Sequence, residues 1–240
     1  MHRWLNGKWF MELERNHVHK VYDKIAQHFA KTRYRIWPGV RDFLQQKTSP
    51  CDIILDVGCG NGKNLWSMKN IYSIGIDRCL PLVQTCHPRE TAVADMLELP
   101  FQSGKFDIVI CIAVLHHLAT RERRILAIKE LARVLRPGGS CLIYVWAADD
   151  EGQTVKNTKA REKMRFLDDK KQDVLIPWVV VEGKTNNKTT AIQEEDLTVE
   201  RYYHLYVRGE LEEECLQSNC FHIQHSYFEQ SNWCVVLNKP

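Results

Sequence analysis

From Asp52 onward the chain alternates short β-branched runs with amphipathic stretches, a pattern that predicts βαβ units on a parallel sheet. The apolar runs place strands at Asp52–Val57, Ile71–Asp77, Thr91–Asp95, Phe106–Ala113 and Ser140–Ala147. Helices fill the gaps: a short one from Gly62, another near Leu80–Cys86, and a long one from Thr120 to Leu135. In the last, Ile125, Ile128, Leu131, Ala132 and Leu135 share one face, Thr120 sits at the N-cap, and Pro137-Gly138-Gly139 stops the helix. Upstream, helices over His19–Phe29 and Pro38–Gln46 predict a cap over the carboxyl edge of the sheet. Downstream, Asp149–Lys171 and Glu182–Glu195 are polar and charged, predicting two mobile loops around an apolar island, Val174–Val181. Order then returns with a strand at Tyr202–Tyr206, a helix over Gly209–Gln217, and a hairpin of Phe221–Phe228 and Trp233–Leu237 turning at Glu229-Gln230-Ser231-Asn232.

The fold class is therefore α/β, a Rossmann-like and mostly parallel sheet with a C-terminal antiparallel hairpin and an N-terminal helical cap. The expected divisions are a cap over residues 1–48, a ligand-binding core over 49–148, a flexible insertion over 149–200 with an apolar island at 172–181, and a strand-helix-hairpin over 201–240 that completes the sheet.

Composition narrows the class. With 44% hydrophobic and 26% charged residues in 240, the chain has room for one sizeable core, and collagen, coiled-coil arrays and wholesale disorder are excluded. The longest apolar run, Ile108–Leu115, falls far short of the roughly 20 residues of a membrane span, so no membrane partner is expected. The nine cysteines are odd in number and never form a C-x-x-C pair, which predicts reduced thiols, an intracellular protein and no metal site of its own. Charge is uneven: residues 1–50 hold ten Lys/Arg against four Asp/Glu, leaving 23 against 26 for the rest. That basic segment, interleaved with Trp4, Trp9, Tyr22, Tyr34 and Trp37, suits phosphates and stacked bases, although taken alone it reads first as a solvated helix face.

The chemistry concentrates at strand ends. Asp56-Val57-Gly58-Cys59-Gly60-Asn61-Gly62 closes the first strand, and its glycines let backbone N–H groups approach a ligand. Dinucleotide loops need G-x-G-x-x-G, whereas the third glycine here falls one place early. An acid two residues before the first glycine suits the ammonium of a methionine-derived ligand better than a pyrophosphate. Asp77, with Arg78 beside it, ends the second strand where a carboxylate takes ribose hydroxyls. Asp95 ends the third, placed to accept from an adenine amino group, with Met96 and Leu97 flanking the ring and Ala113 at the end of the fourth strand joining the set. Singly each acid reads as a helix cap; in this order they point to S-adenosylmethionine.

Asp56–Gly62, Asp77, Asp95 and Leu135-Arg136-Pro137-Gly138-Gly139 resemble the class I S-adenosylmethionine methyltransferases. Further text is similar to one family among them, the tRNA wobble-uridine carboxymethyl methyltransferases: His17–Tyr22, Thr32-Arg33-Tyr34 with Trp37-Pro38, His116-His117 with Thr120–Arg124, Gln172–Trp178 and Arg201-Tyr202-Tyr203-His204. Asn64 stands where that family commonly has Tyr, and Cys79 where it has Ser. The resemblance implies methyl transfer to the carboxylate of 5-carboxymethyluridine in the tRNA anticodon loop. It also implies a small zinc-binding activator subunit, forming a heterodimer over the third-strand edge. A cytoplasmic location is expected, and the sequence does not separate it from one that takes in the nucleus as well.

Such a transfer needs an oriented, desolvated carboxylate and no general base. Arg33 is the first candidate to orient it and Arg201 the second, with a phosphate contact or a surface ion pair an equal reading for Arg201. Of His116 and His117, one is expected to line the pocket and the other to be structural; the sequence leaves open which. Trp37, Trp146 and Trp178 are candidates to stack on an extruded base. Tyr202, Tyr203 and His204 are assigned to the substrate pocket, and Arg121, Arg123, Arg124 and Lys129 to tRNA phosphates. Two other readings stay open: a small-molecule class I methyltransferase, and a catalytically silent tRNA-binding subunit.

Overall fold

A computed structural model describes residues 9–65, 70–148, 163–180 and 197–240. Helix α1 (Lys20–Thr32) is entered through a π-helical turn at Arg15–His19, and helix α2 (Pro38–Lys47) follows. The main sheet contains β1 (Ile53–Val57), β2 (Tyr72–Asp77), β3 (Thr91–Val93), β4 (Phe106–Ile112) and β5 (Leu135–Trp146). Helix α3 (Leu80–Gln84) follows β2 and helix α4 (Arg121–Val134) follows β4. Strands β6 (Arg165–Phe166), β7 (Asp173–Val180) and β8 (Leu197–His204) come next, then helix α5 (Glu210–Gln217) and the hairpin β9 (His222–Glu229) and β10 (Asn232–Asn238).

The seven-stranded sheet runs β3-β2-β1-β4-β5-β10-β9, parallel through β5 and antiparallel across β10 and β9, as the alternation predicts. Its order reverses between β1 and β4, so the chain ends there open into one crevice. One face is covered by α4, where Ala127, Ile128 and Leu131 are fully buried against Leu55, Val109 and Ile143. The Thr120 hydroxyl caps that helix by accepting the Arg123 N–H at 3.3 Å. Its far end is closed by Lys239, whose Nζ donates to the carbonyls of Ala132 (2.7 Å) and Leu135 (2.6 Å). Seven of the nine free thiols are buried, where they pack as small apolar groups. No helix among the described residues is long and apolar enough to cross a membrane.

Several expectations need correction. Helix α2 does not cap the carboxyl edge: Val40, Phe43 and Leu44 pack on the second face of the sheet with Ile54, Ile110 and Leu142. Residues from Gly62 form turns rather than a helix, and 66–69 lie outside the described residues. Helix α4 ends at its Leu135 C-cap as expected, but the chain passes straight into β5, so Pro137-Gly138-Gly139 lies in the strand and is not what stops the helix. The apolar island is strand β7, and β8 pairs with it antiparallel in a separate sheet, β6-β7-β8, instead of completing the main one. Most of the two expected loops, 149–162 and 181–196, lies outside the described residues.

Candidate active site

A cleft of about 1110 Å³ opens over the carboxyl ends of β1, β2, β4 and β5, walled by α1 and β8. Its floor is the glycine loop. Gly58, Gly60 and Gly62 all take positive φ (77°, 57° and 72°). The N–H groups of Gly58 and Cys59 donate to the Ile76 carbonyl, each at 2.8 Å, and the Gly60 N–H donates to Asp77 at 2.9 Å. A Cβ on Gly58 would come within 2.2 Å of Val114. Gly58→Ala is therefore expected to cost about 2 kcal/mol from backbone strain and overlap. The loss is to be read by denaturant unfolding, with weakened cofactor affinity beside it. Asn61 ties the loop to the cap, its amide donating to the carbonyls of Ala30 (3.0 Å) and Arg33 (2.6 Å).

The cleft carries both acids and cations. On the loop side, Asp56 is 1% exposed and neither carboxyl oxygen has a hydrogen-bond partner among the described residues. Burial pushes its pKa up to about 7, against the opposing pull of Lys63. Asp77 accepts from the N–H groups of Gly60 and Cys79, and burial raises it too. Asp95 forms an ion pair with Arg78 and accepts the Leu97 N–H at 3.0 Å. Met96 and Ala113 line the same wall, Ala113 at φ 61°. An orphaned acid at the foot of the glycine loop, with a second acid at the next strand end, fits the ammonium, sulfonium and ribose of S-adenosylmethionine.

A cationic and aromatic set lines the cleft as well. Arg201 is 4% exposed and is held over the Trp178 ring at 4.4 Å and the Tyr203 ring at 5.2 Å. Its Nε is unpartnered, and among the described residues no carboxylate pairs with it, so burial excludes the surface ion pair. Arg33 lies on the rim over Phe29 (5.1 Å) and over the same Trp178 ring (5.9 Å). Trp146 stacks on Tyr203 with ring centroids 4.6 Å apart and planes 15° from parallel. Trp37 stands at the rim, with the Lys63 ammonium 4.6 Å over its ring.

Both histidines are present in the wall, and both are neutral. His117 Nδ1 lies 2.8 Å from the Tyr202 carbonyl, which can only accept, so Nδ1 carries the proton and Nε2 takes the Tyr22 hydroxyl at 3.1 Å. Burial holds its pKa down to about 3. His116 accepts the Trp146 N–H on Nδ1 at 3.1 Å, and burial, then His117, keep it well below the ordinary range.

Other assignments change. Only Arg201 and Tyr203 of the Arg201–His204 block face the cleft; Tyr202 and His204 alternate to the other side of β8, where both reach Asp173. The arginines at the start of α4 turn inward or pair: Arg123 to buried Glu14, Arg124 to Glu210 and Glu214, Arg121 to Glu213. Phosphates would have to break those pairs. Tyr22, Asn61 and Lys63 were not singled out from sequence as site residues; the first two act through contacts across 95 and 28 or more residues, which no local spacing signals.

Comparison with known proteins agrees with this geometry. Residues 55–143 match a family described as a methyltransferase domain. A Schizosaccharomyces pombe tRNA (carboxymethyluridine(34)-5-O)-methyltransferase is 37% identical over 237 residues, covering 95% of this chain and 99% of that protein. The Saccharomyces cerevisiae protein of the same name is 35% identical over 283 residues, covering 95% and 97%. Xenopus tropicalis tRNA (carboxymethyluridine(34)-5-O)-methyltransferase alkbh8 is 40% identical over 260 residues; the alignment takes in 95% of this chain but spans only 41% of that longer protein. Among solved structures, an S-adenosylmethionine-dependent methyltransferase from Methanosarcina mazei superposes with TM-score 0.61 at 18% identity, covering 85% of this chain and 98% of the other. A methyltransferase from Haloferax volcanii, solved in complex with the Trm112 methyltransferase activator, gives 0.62 at 15%, covering 93% and 97%. These two share the fold.

Proposed function

Because the chain belongs to the tRNA (carboxymethyluridine(34)-5-O)-methyltransferase family, we propose that it esterifies the carboxylate of 5-carboxymethyluridine at the tRNA wobble position. The observation that carries this reading is the buried Arg201 guanidinium, which lines the cleft with its Nε unpartnered and with no carboxylate counter-ion among the described residues. A lone buried cation is costly unless an anion joins it, and a substrate carboxylate supplies that anion. Arg201 then orients one carboxylate oxygen while Arg33 attracts the group at the rim.

The cofactor, S-adenosylmethionine, supplies a methyl group on a cationic sulfur. In the transfer the carboxylate oxygen would contribute the electron pair of the new C–O bond, and the pair of the broken S–C bond would stay on the leaving thioether. One negative and one positive charge disappear, so a dry site favours the step. Trp146, Tyr203 and the two neutral histidines provide that dry wall, and they need move no proton. Asp56 and Asp77 hold the cationic end of the cofactor and its ribose.

The rim supports tRNA as the carrier of the base: Arg33, Arg35 and Arg41 border the cleft with Tyr34, which is 75% exposed. For the activator subunit, we propose strand addition at β3, an outer strand of three residues with Val93 half exposed.

The test is incubation with labelled S-adenosylmethionine and tRNA carrying or lacking 5-carboxymethyluridine, with and without a zinc-binding activator, followed by nucleoside mass spectrometry. Label in the methyl ester of the carboxymethylated tRNA alone is the expected result. Label on a free small molecule, or cofactor binding with no transfer, overturns it.

A further inference from the structure

We propose that His204 is a positioning residue for this reaction, held as a cation between Asp173 and Glu210 so that β8 keeps Arg201 and Tyr203 in the cleft; the inference rests on the esterification reading above. Its Nδ1 lies 2.9 Å from Asp173 Oδ1 and its Nε2 lies 2.8 Å from Glu210 Oε1. A neutral imidazole has one N–H and cannot donate to two carboxylates. The ring therefore carries both protons and joins β7, β8 and α5 at one point.

The groups around it favour that charge. From β7 comes Asp173, which also accepts the Tyr202 hydroxyl at 2.6 Å. From α5 comes Glu210, which takes Gln172 Nε2 at 2.7 Å and Arg124 of α4 at 3.4 Å. Arg124 is shared with Glu214, 2.8 Å away, and the Tyr206 hydroxyl donates to Glu214 at 2.9 Å. The Tyr206 ring meets the imidazole edge-on at 5.1 Å. Three carboxylates face two cations with His204 protonated, and one without. Burial and Arg124 oppose the proton, yet the bonds to Asp173 and Glu210 prevail and raise the His204 pKa.

The connection to the site is short. Tyr203, next in the strand, stacks on Trp146 and lies 4.6 Å from the His117 ring, and Arg201 rests on Tyr203. Loss of the His204 proton deletes one carboxylate bond and frees β8 to shift. A shift on the order of 1 Å at the carboxylate anchor lowers transfer by up to about a hundredfold. The sign follows from the raised pKa: the clamp is complete below the ordinary histidine range and is lost as pH rises through the folded-state value.

The experiment uses the full chain, with nitrogen-15 NMR of the histidine rings and single-turnover methyl transfer read across pH. Both ring nitrogens of His204 are expected to show imidazolium signals at pH 7, with a midpoint above that of free histidine and equal to the midpoint of an alkaline fall in rate. Asp173→Asn should move both midpoints down by about one pH unit. His204→Gln should lower kcat about tenfold and flatten the alkaline limb, leaving tRNA KM and cofactor Kd within twofold. A neutral His204 ring at pH 7 overturns the proposal, as does a rate profile that Asp173→Asn leaves in place in a folded protein. No ester at any pH would sink the esterification reading instead, and the NMR signal would still decide whether His204 is the clamped cation.

Discussion

Arg201→Met is expected to slow ester formation by about 10³-fold and, at the same time, to raise the melting temperature of the free protein. The two effects come from one cause. The guanidinium is nearly inaccessible to water, its Nε has no partner, and its neighbours are the faces of Trp178 and Tyr203 and the neutral Tyr22 hydroxyl. In the free chain this is a desolvated charge without a counter-ion, and an apolar side chain of similar length relieves the penalty. With substrate bound, the same charge meets a carboxylate, and truncating one partner of a buried pair costs about 2 to 5 kcal/mol, the upper half of which corresponds to a thousandfold. Cofactor affinity should hold, because Arg201 makes no ion pair with the acids assigned to the cofactor: neither Asp56 oxygen has a partner, Asp77 accepts from backbone N–H groups, and Asp95 pairs with Arg78. Measured together, unchanged cofactor Kd, higher melting temperature and lost transfer identify a substrate anchor. A destabilised Arg201→Met protein would show instead that the arginine is structural.

Asp56→Asn carries the second large effect, with the charges reversed. The native carboxyl titrates near pH 7 because burial disfavours its ionised form. The folded free protein thus binds a proton that the unfolded chain releases near pH 4, and this group's contribution to stability declines as pH rises from about 4 to 7. A cationic cofactor reverses that preference by offering the carboxylate a counter-charge. Cofactor affinity is expected to strengthen about tenfold per pH unit below 7 and to level off above it. About half a proton should leave on binding at pH 7, detectable by calorimetry in buffers of different ionisation enthalpy. Asp56→Asn should bind cofactor about 10²-fold more weakly, release no proton and melt higher than the parent at pH 7.5. An affinity independent of pH between 6 and 8 would refute the assignment.

The alternation of β-branched runs with amphipathic stretches made the main sheet legible, and glycines with strand-end acids made the cofactor wall legible, because each signal is local. Asp56 and Gly58 need only their neighbours in sequence to be read. The second sheet was not legible in this way: β7 is an apolar run between polar segments and resembles a packed loop until β8 pairs with it. The arginines of Arg121–Arg124 read as a basic face, yet their partners Glu14, Glu210, Glu213 and Glu214 lie 86 to 109 residues away. The burial of Arg201 has no local signal, because a charged side chain in a polar block reads as exposed. His204 sits in a contiguous Arg-Tyr-Tyr-His motif that reads as one patch, and only the pairing of β8 with β7 reveals that alternate residues leave it.

Strand β8 speaks to two clients through its two faces, and the spacing of its residues is the only thing that keeps the messages apart. Arg201 and Tyr203 serve the cleft; Tyr202 and His204 serve the clamp. A single inserted or deleted residue between Leu197 and His204 would exchange the two sets at once, presenting a phenol and an imidazolium to the substrate and driving a guanidinium toward Arg124. Substitutions here can be sampled one side chain at a time, but length cannot. Natural length variation in this protein's lineage should therefore accumulate outside Leu197–Tyr206, and a designer wishing to alter what the cleft accepts has the odd-numbered positions to work with and a reading frame to preserve.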